Sequence, residues 1–199
     1  MRVLIFALLI ACTGCGYKYT GEGPARSKSG SHLVTKEKNI NLVRLVDSLQ
    51  LNKNQIAVHI YKTAYKMKIK YDTLTLKTYP CVFGFNARDD KLKQGDGCTP
   101  EGKFGIRAKY PHSKWSKFIW IDYPNASSWT KHKAAKKKGT IGVKESIGGE
   151  VGIHGVPEGY DYAIDERQNW TLGCISLKTK DIDELYAILG PKSVVWIYH

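Results

Sequence analysis

Between Gln55 and Leu76 apolar and polar residues alternate with a period of two: Ile56, Val58 and Ile60, then Met67, Ile69 and Tyr71, then Leu74 and Leu76. Successive side chains of a strand point to opposite faces, so this pattern predicts a three-strand meander with one face turned to a core. It runs on into "YPCVFGF", and further strands are predicted over "KFIWIDY", "EVGIH" and the closing "SVVWIY". Gly and Pro mark the loops between them, including "KQGDGCTPEGKFG". Two segments carry the helical period instead. Ile40, Val43, Leu45, Val46 and Leu49 predict a short amphipathic helix ahead of the first strand. Near the other end Ile182, Leu185, Tyr186 and Leu189 form an apolar stripe. Thr179 stands where it can cap that helix, Asp181 and Asp183 fall in the first turn where the helix dipole favours carboxylates, and Gly190-Pro191 ends it. With no internal repeat and no heptads, these elements predict a single, mostly β domain with peripheral α-helices.

The first residues follow neither period. "MRVLIFALLIACTGCGYKY" has one basic residue and then an apolar run from Val3 to Ala11, far too short to span a bilayer. It resembles a bacterial lipoprotein signal, in which the chain is cut before a cysteine that becomes lipidated. Cutting before Cys15 leaves the longer apolar core and is favoured; cutting before Cys12, after the tidier "LIA", is the competing register, and an ordinary cleaved signal is the third option. The expected organisation is a signal over 1–15, a Gly-, Ser- and charge-rich tether over 16–36, a lead-in helix over 37–54 and the main domain over 55–199. The expected location is the bacterial cell envelope, lipid-anchored to the membrane and facing the periplasm.

Composition narrows the partners. Of 199 residues 42% are hydrophobic, enough for a real core, and the formal charge is +13. An exported basic chain suits anionic partners such as wall polymer or lipid headgroups. The densest basic run, Lys131 to Gly139, reads as a solvated loop sooner than as a binding patch, and it lacks the interleaved aromatics of a single-strand nucleic-acid site. No nucleic-acid partner is expected.

The remaining candidates are chemical. Cys174 follows Gly173, whose missing Cβ allows close approach of a substrate carbonyl, and the amides of both residues could serve an oxyanion. A nucleophilic thiol also needs a base, and His154 ends the strand pattern "EVGIHG". The order histidine before cysteine disfavours papain-like peptidases. On spacing alone, a buried structural thiol and a structural histidine are the commoner outcome. Cys81 and Cys98 are read as two isolated thiols, with a disulfide between them as the lesser alternative. His59, His112 and His132 show no metal-ligand spacing, so neither a metal nor any cofactor is expected.

His154, sixteen residues, then Thr171, Leu172, Gly173 and Cys174 is similar to the active-site pattern of the L,D-transpeptidase catalytic domain, also called YkuD. The glycine and "TPEG" loop (Gly84, Gly95, Asp96, Gly97, Thr99, Pro100, Gly102) and the turn Tyr123, Pro124, Asn125 match in the same order. The resemblance implies a β-sandwich-like mixed sheet with peripheral helices, acting without cofactor on peptidoglycan stem peptides. Cys174 would be the nucleophile that forms a thioester, His154 the general base and acid, Gly155 the carbonyl that orients its ring, and Gly173 a backbone oxyanion donor. Thr171, Leu172, Ser176, Tyr160 and Tyr162 would touch substrate, and Asp165 and Glu166 are read as an exposed acidic turn sooner than as partners of its free amine. Two positions depart from the family's common form, which has His at Leu172 and often Arg or Asn at Ser176. Hydrolysis of the thioester by a thiol amidase of the same fold, and wall binding without turnover, are the alternatives to transfer.

Overall fold

A computed structural model describes residues 40–199; the signal segment with Cys12 and Cys15, and the tether, lie outside the described residues. The alternating stretch forms β1 (Ile56–Tyr61), β2 (Lys66–Tyr71) and β3 (Leu74–Pro80), paired antiparallel as a meander. Ile56, Val58, Ile60, Met67, Ile69 and Leu76 are buried, as the period requires. Leu74 departs from it and is exposed: the β2–β3 register shifts between Ile69 and Lys70, leaving Leu76 as the extra residue and Leu74 at the hairpin tip.

The closing strand β8 (Val194–Tyr198) lies parallel to β1. Beyond it come β4 (Gly102–His112), β5 (Ser116–Ile121), β6 (Gly152–Gly155) and β7 (Ile175–Leu177), giving one eight-stranded mixed sheet in the order β3-β2-β1-β8-β4-β5-β6-β7. The longest strand, β4, has no clear period in the sequence because only Phe104 is buried among its half-exposed and exposed neighbours. Its first residues pair with β8 and its later ones with β5, with an irregularity between Ile106 and Ala108 where the sheet changes direction. The stretch "YPCVFGF" leaves β3 after Pro80 and forms no strand of its own. Val82 instead bridges to Ser176 of β7 and Gly84 to Thr171, so the chain leaving one sheet edge closes onto the other.

Helix α1 (Leu42–Ser48) is capped by the Asn41 side chain and buries Leu42 and Val46, one turn apart. Helix α2 (Ala126–Lys137) takes the place of the expected basic loop. Asn125 Oδ1 accepts the Ser128 N–H at 3.1 Å, and the buried stripe is Ser128, His132 and Ala135, which are polar or small and so invisible to hydrophobic periodicity. Helices α3 (Tyr162–Asp165) and α4 (Thr179–Ile188) follow. Thr179 does not cap α4; it is the first helical residue, and its N–H is taken by Asp161 Oδ1 at 3.0 Å. Ile182, Leu185 and Ile188 pack α4 against the sheet. Glu184 ties three elements together, accepting from Lys77 Nζ (2.6 Å), the Tyr79 hydroxyl (2.7 Å) and the Leu42 N–H (3.2 Å).

Beside it Asp181 is buried, and burial pushes its carboxyl up to about 6, against the pull of Lys180 and Lys77. The native state then holds this proton more tightly than the unfolded chain, whose carboxyl titrates near 3.8. Stability from this group is present below pH 3.8 and is lost as pH rises through about 6. Asp181→Asn is expected to stabilise the fold at pH 8 by on the order of 1–2 kcal/mol, with the gain disappearing near pH 4; urea unfolding at both pH values measures it.

Candidate active site

Strands β6 and β7 run parallel with His154 opposite Ser176, and Cys174 lies one residue before β7. A tight turn delivers the thiol. Thr171 is buried, and its hydroxyl donates to the Cys174 carbonyl (2.7 Å) while accepting the Gly173 N–H (3.1 Å). Gly173 has φ +141°, and a Cβ on it would stand 2.6 Å from the Cys98 carbonyl oxygen. Only glycine fits that approach. With the Gly173 amide engaged, the N–H groups of this turn without a partner among the described residues are those of Leu172 and Cys174.

Cys174 and His154 line one cleft of about 740 Å³, with Lys91, Gln94, Trp115 and Glu150 among its walls. His154 is buried, and its Nδ1–H donates to the Gly155 carbonyl at 2.7 Å, which leaves Nε2 as the basic nitrogen. Three aromatic rings enclose the imidazole. Trp115 stacks on it at 4.3 Å between centroids, Phe118 at 5.9 Å, and Trp170 meets it edge-on at 5.5 Å. Trp115 reaches this place because the β4–β5 hairpin folds over β6: its carbonyl accepts the Gly155 N–H at 3.0 Å, and a Cβ on Gly155 would stand 2.6 Å from that oxygen. The far face of Trp115 carries His112, stacked at 4.2 Å.

Burial lowers His154 to about 4, with His112 adding to the fall and the Gly155 carbonyl opposing it. Burial likewise pushes the Cys174 thiol up to about 11, while the Gly152 backbone N–H and Lys91 pull the other way. At neutral pH the free site therefore holds a thiol and a neutral imidazole, not an ion pair. The thiol points at the Glu150 carbonyl, 3.5 Å away. Opposite, Lys91 is buried and donates to Asp96 Oδ1 at 2.8 Å. Burial would raise Asp96, but the bonds from Lys91 and from the Lys93, Cys98 and Leu92 amides outweigh it and hold the carboxyl below its ordinary range.

Removing the Trp115 ring would admit water to the imidazole. Trp115→Ala is expected to raise His154 towards its ordinary 6.5, moving the acid limb of the pH–rate profile up by on the order of one unit. Activity falls most at about pH 4–5, where more of the base is then protonated; an unmoved limb removes the ring from this role.

The other nominated residues divide. Leu172 is 75% exposed at the cleft mouth. Ser176 does not reach the cleft: Val82 pairs with it, it is fully buried, and its hydroxyl donates to the Gly155 carbonyl at 3.5 Å. Tyr160 and Tyr162 pack ring against ring in a tilted pair, 5.4 Å between centroids, at the start of α3, exposed and away from the cleft lining. Asp165 pairs with Lys178 at 2.6 Å, and Glu166 accepts from Gln168. Cys81 and Cys98 are free, buried thiols, and burial pushes Cys98 up to about 11. Among the described residues no group of His, Cys, Asp and Glu is placed to hold a metal. Trp115, Trp170 and Lys91 were not nominated from sequence; an aromatic and a lysine in loops far from the histidine carry no local signal.

The model of the family described as "L,D-transpeptidase catalytic domain" matches residues 54–197. No curated protein sequence matches the chain. Among solved structures, the helical cell shape determining protein Pgp2 from Campylobacter jejuni is 20% identical with a TM-score of 0.55, covering 72% of this chain and 47% of that one. Bd1075 from Bdellovibrio bacteriovorus is 16% identical with a TM-score of 0.50, covering 72% and 48%. An L,D-transpeptidase from Mycobacterium smegmatis is 14% identical with a TM-score of 0.47, covering 73% and 59%. For the first two neighbours the likeness is one of fold, and the matches span about half of their length.

Proposed function

Since the chain belongs to the L,D-transpeptidase catalytic domain family, we propose that it modifies peptidoglycan stem peptides by acyl transfer through a thioester on Cys174. The observation that carries this reading is the shared cleft: a thiol on a glycine turn beside a histidine whose Nδ1–H is committed to Gly155. As the sulfur bonds to the carbonyl carbon of the stem's third residue, His154 Nε2 takes the thiol proton. The neutral start favours proton transfer coupled to that attack, and the Gly155 carbonyl stabilises the imidazolium while it lasts. The Cys174 N–H, on the reacting residue itself, is a backbone donor available to the oxyanion. Collapse breaks the C–N bond, Nε2–H returns the proton to the departing amine, and the acyl group remains on sulfur. An amine from a second stem then attacks the thioester, giving up a proton to Nε2; the C–S bond breaks, the sulfur takes that proton back, and the new amide is the cross-link. In our reading the protein works at the bacterial envelope, lipid-anchored through Cys15, or Cys12 in the competing register, as residues 1–15 suggest.

The test is to incubate the full chain with disaccharide tetrapeptides and weigh the products by mass spectrometry. A cross-linked dimer lacking one alanine supports transfer. Shortened monomers alone would replace transfer by hydrolysis, and binding without any product would leave a wall-binding protein.

A further inference from the structure

Lys91 is 6% exposed, yet among the described residues it is the one lysine or arginine that lines the catalytic cleft. An ammonium has three N–H groups. One goes to Asp96 Oδ1 at 2.8 Å and one to the Lys93 carbonyl at 3.1 Å, and no third partner is found among the described residues. The nitrogen lies 3.6 Å from where a Cβ on Gly173 would stand, so it sits beside the turn that carries the nucleophile, with no side chain between. Its position is fixed from below. Asp96 also accepts the amides of Leu92 (2.8 Å), Lys93 (2.9 Å) and Cys98 (3.0 Å), which spreads its charge over the loop and leaves Lys91 a donor to spare.

We propose that Lys91 binds the free α-carboxylate of the residue that leaves, so that the cleft reads the end of the peptide; this rests on the function proposed above. In a stem attacked at its penultimate carbonyl, the terminal carboxylate lies one residue beyond the reacting carbon, about 3.8 Å away. That reach suits a cation held beside Gly173, the residue before the nucleophile, as the Lys91 nitrogen is. One more residue would carry the carboxylate a further ~3.5 Å out, beyond hydrogen-bond reach. Ser176, where the family often has Arg or Asn, is buried and cannot take this part. The cation comes instead from the loop before Asp96, a different element of the fold.

The test compares a tetrapeptide ending in a free acid with its C-terminal amide, by calorimetric binding to the full chain carrying Cys174→Ala and by turnover with the unmodified chain. The acid is expected to bind about 10–100-fold more tightly, the range of a hydrogen bond to a charged group, and to be favoured to the same extent in kcat/KM. Adding Lys91→Met should bring the acid-to-amide ratio to about one, chiefly by weakening the acid. Lys91→Met/Asp96→Asn removes the stranded carboxylate and serves if the single variant unfolds. Equal binding of acid and amide by the lysine-containing chain overturns the assignment, and so does an equal loss for both in Lys91→Met, which would make Lys91 a support of the sulfur. A preference for the acid without any product would sink acyl transfer and leave carboxylate binding by Lys91 standing. Product formation with no such preference would do the reverse, and no binding of either would sink both.

Discussion

Cys174→Ala is expected to bring turnover of stem peptides to background, a loss of at least about 10⁴-fold, with the fold intact. The thiol's polar contacts are weak, to the Glu150 carbonyl at 3.5 Å and from the Gly152 N–H, so trimming it to a methyl group disturbs little. No neighbour can replace the sulfur in the reaction. Cys98 is the nearest alternative in sequence, but it is buried and turned to the Asp96 carbonyl at 3.4 Å, and it does not line the cleft. Cys174→Ser should be nearly as inert, because a hydroxyl holds its proton far more tightly than a thiol and His154, lowered to about 4, is a weak base. Intact-protein mass spectrometry during turnover should show an acyl adduct on the unmodified chain and none on either variant. Residual activity of Cys174→Ala above a per cent or so would move the nucleophile elsewhere.

Gly173→Ala should have the next largest effect, although it changes no group that reacts. At φ +141° an L side chain is strained, and the added carbon would stand 2.6 Å from the backbone oxygen of Cys98. Backbone cannot turn aside as a flexible side chain can. The turn must therefore shift, and with it the Thr171 hydroxyl that bridges the Gly173 amide and the Cys174 carbonyl. A stability loss of about 2–4 kcal/mol is expected, together with at least a hundredfold loss of kcat/KM from the displaced sulfur. Gly149→Ala is the matched control: it lines the same cleft, and a Cβ there meets nothing within 4 Å. It should unfold at nearly the unmodified midpoint. If Gly173→Ala behaves like the control in both denaturation and turnover, the turn is not held as described.

The alternation from Ile56 to Ile69 and the helix around Ile182 and Leu185 were legible in the sequence. Each depends on residues a few positions apart, and strand or helix geometry converts such spacing directly into a shared face. Local signals also misled. Helix α2 hides its buried stripe in Ser128, His132 and Ala135, while β4 buries too little to show a period. Only the tertiary structure decided who stands around the thiol and the imidazole. Trp115 comes to His154 because β5 pairs with β6 and the β4–β5 hairpin folds back across them; Lys91 comes to Gly173 because the Asp96 loop packs under the turn. Ser176 is drawn away from the cleft by Val82 closing the sheet edge. These approaches join residues tens of positions apart, and they are set by sheet register and loop packing, which no spacing along the chain encodes.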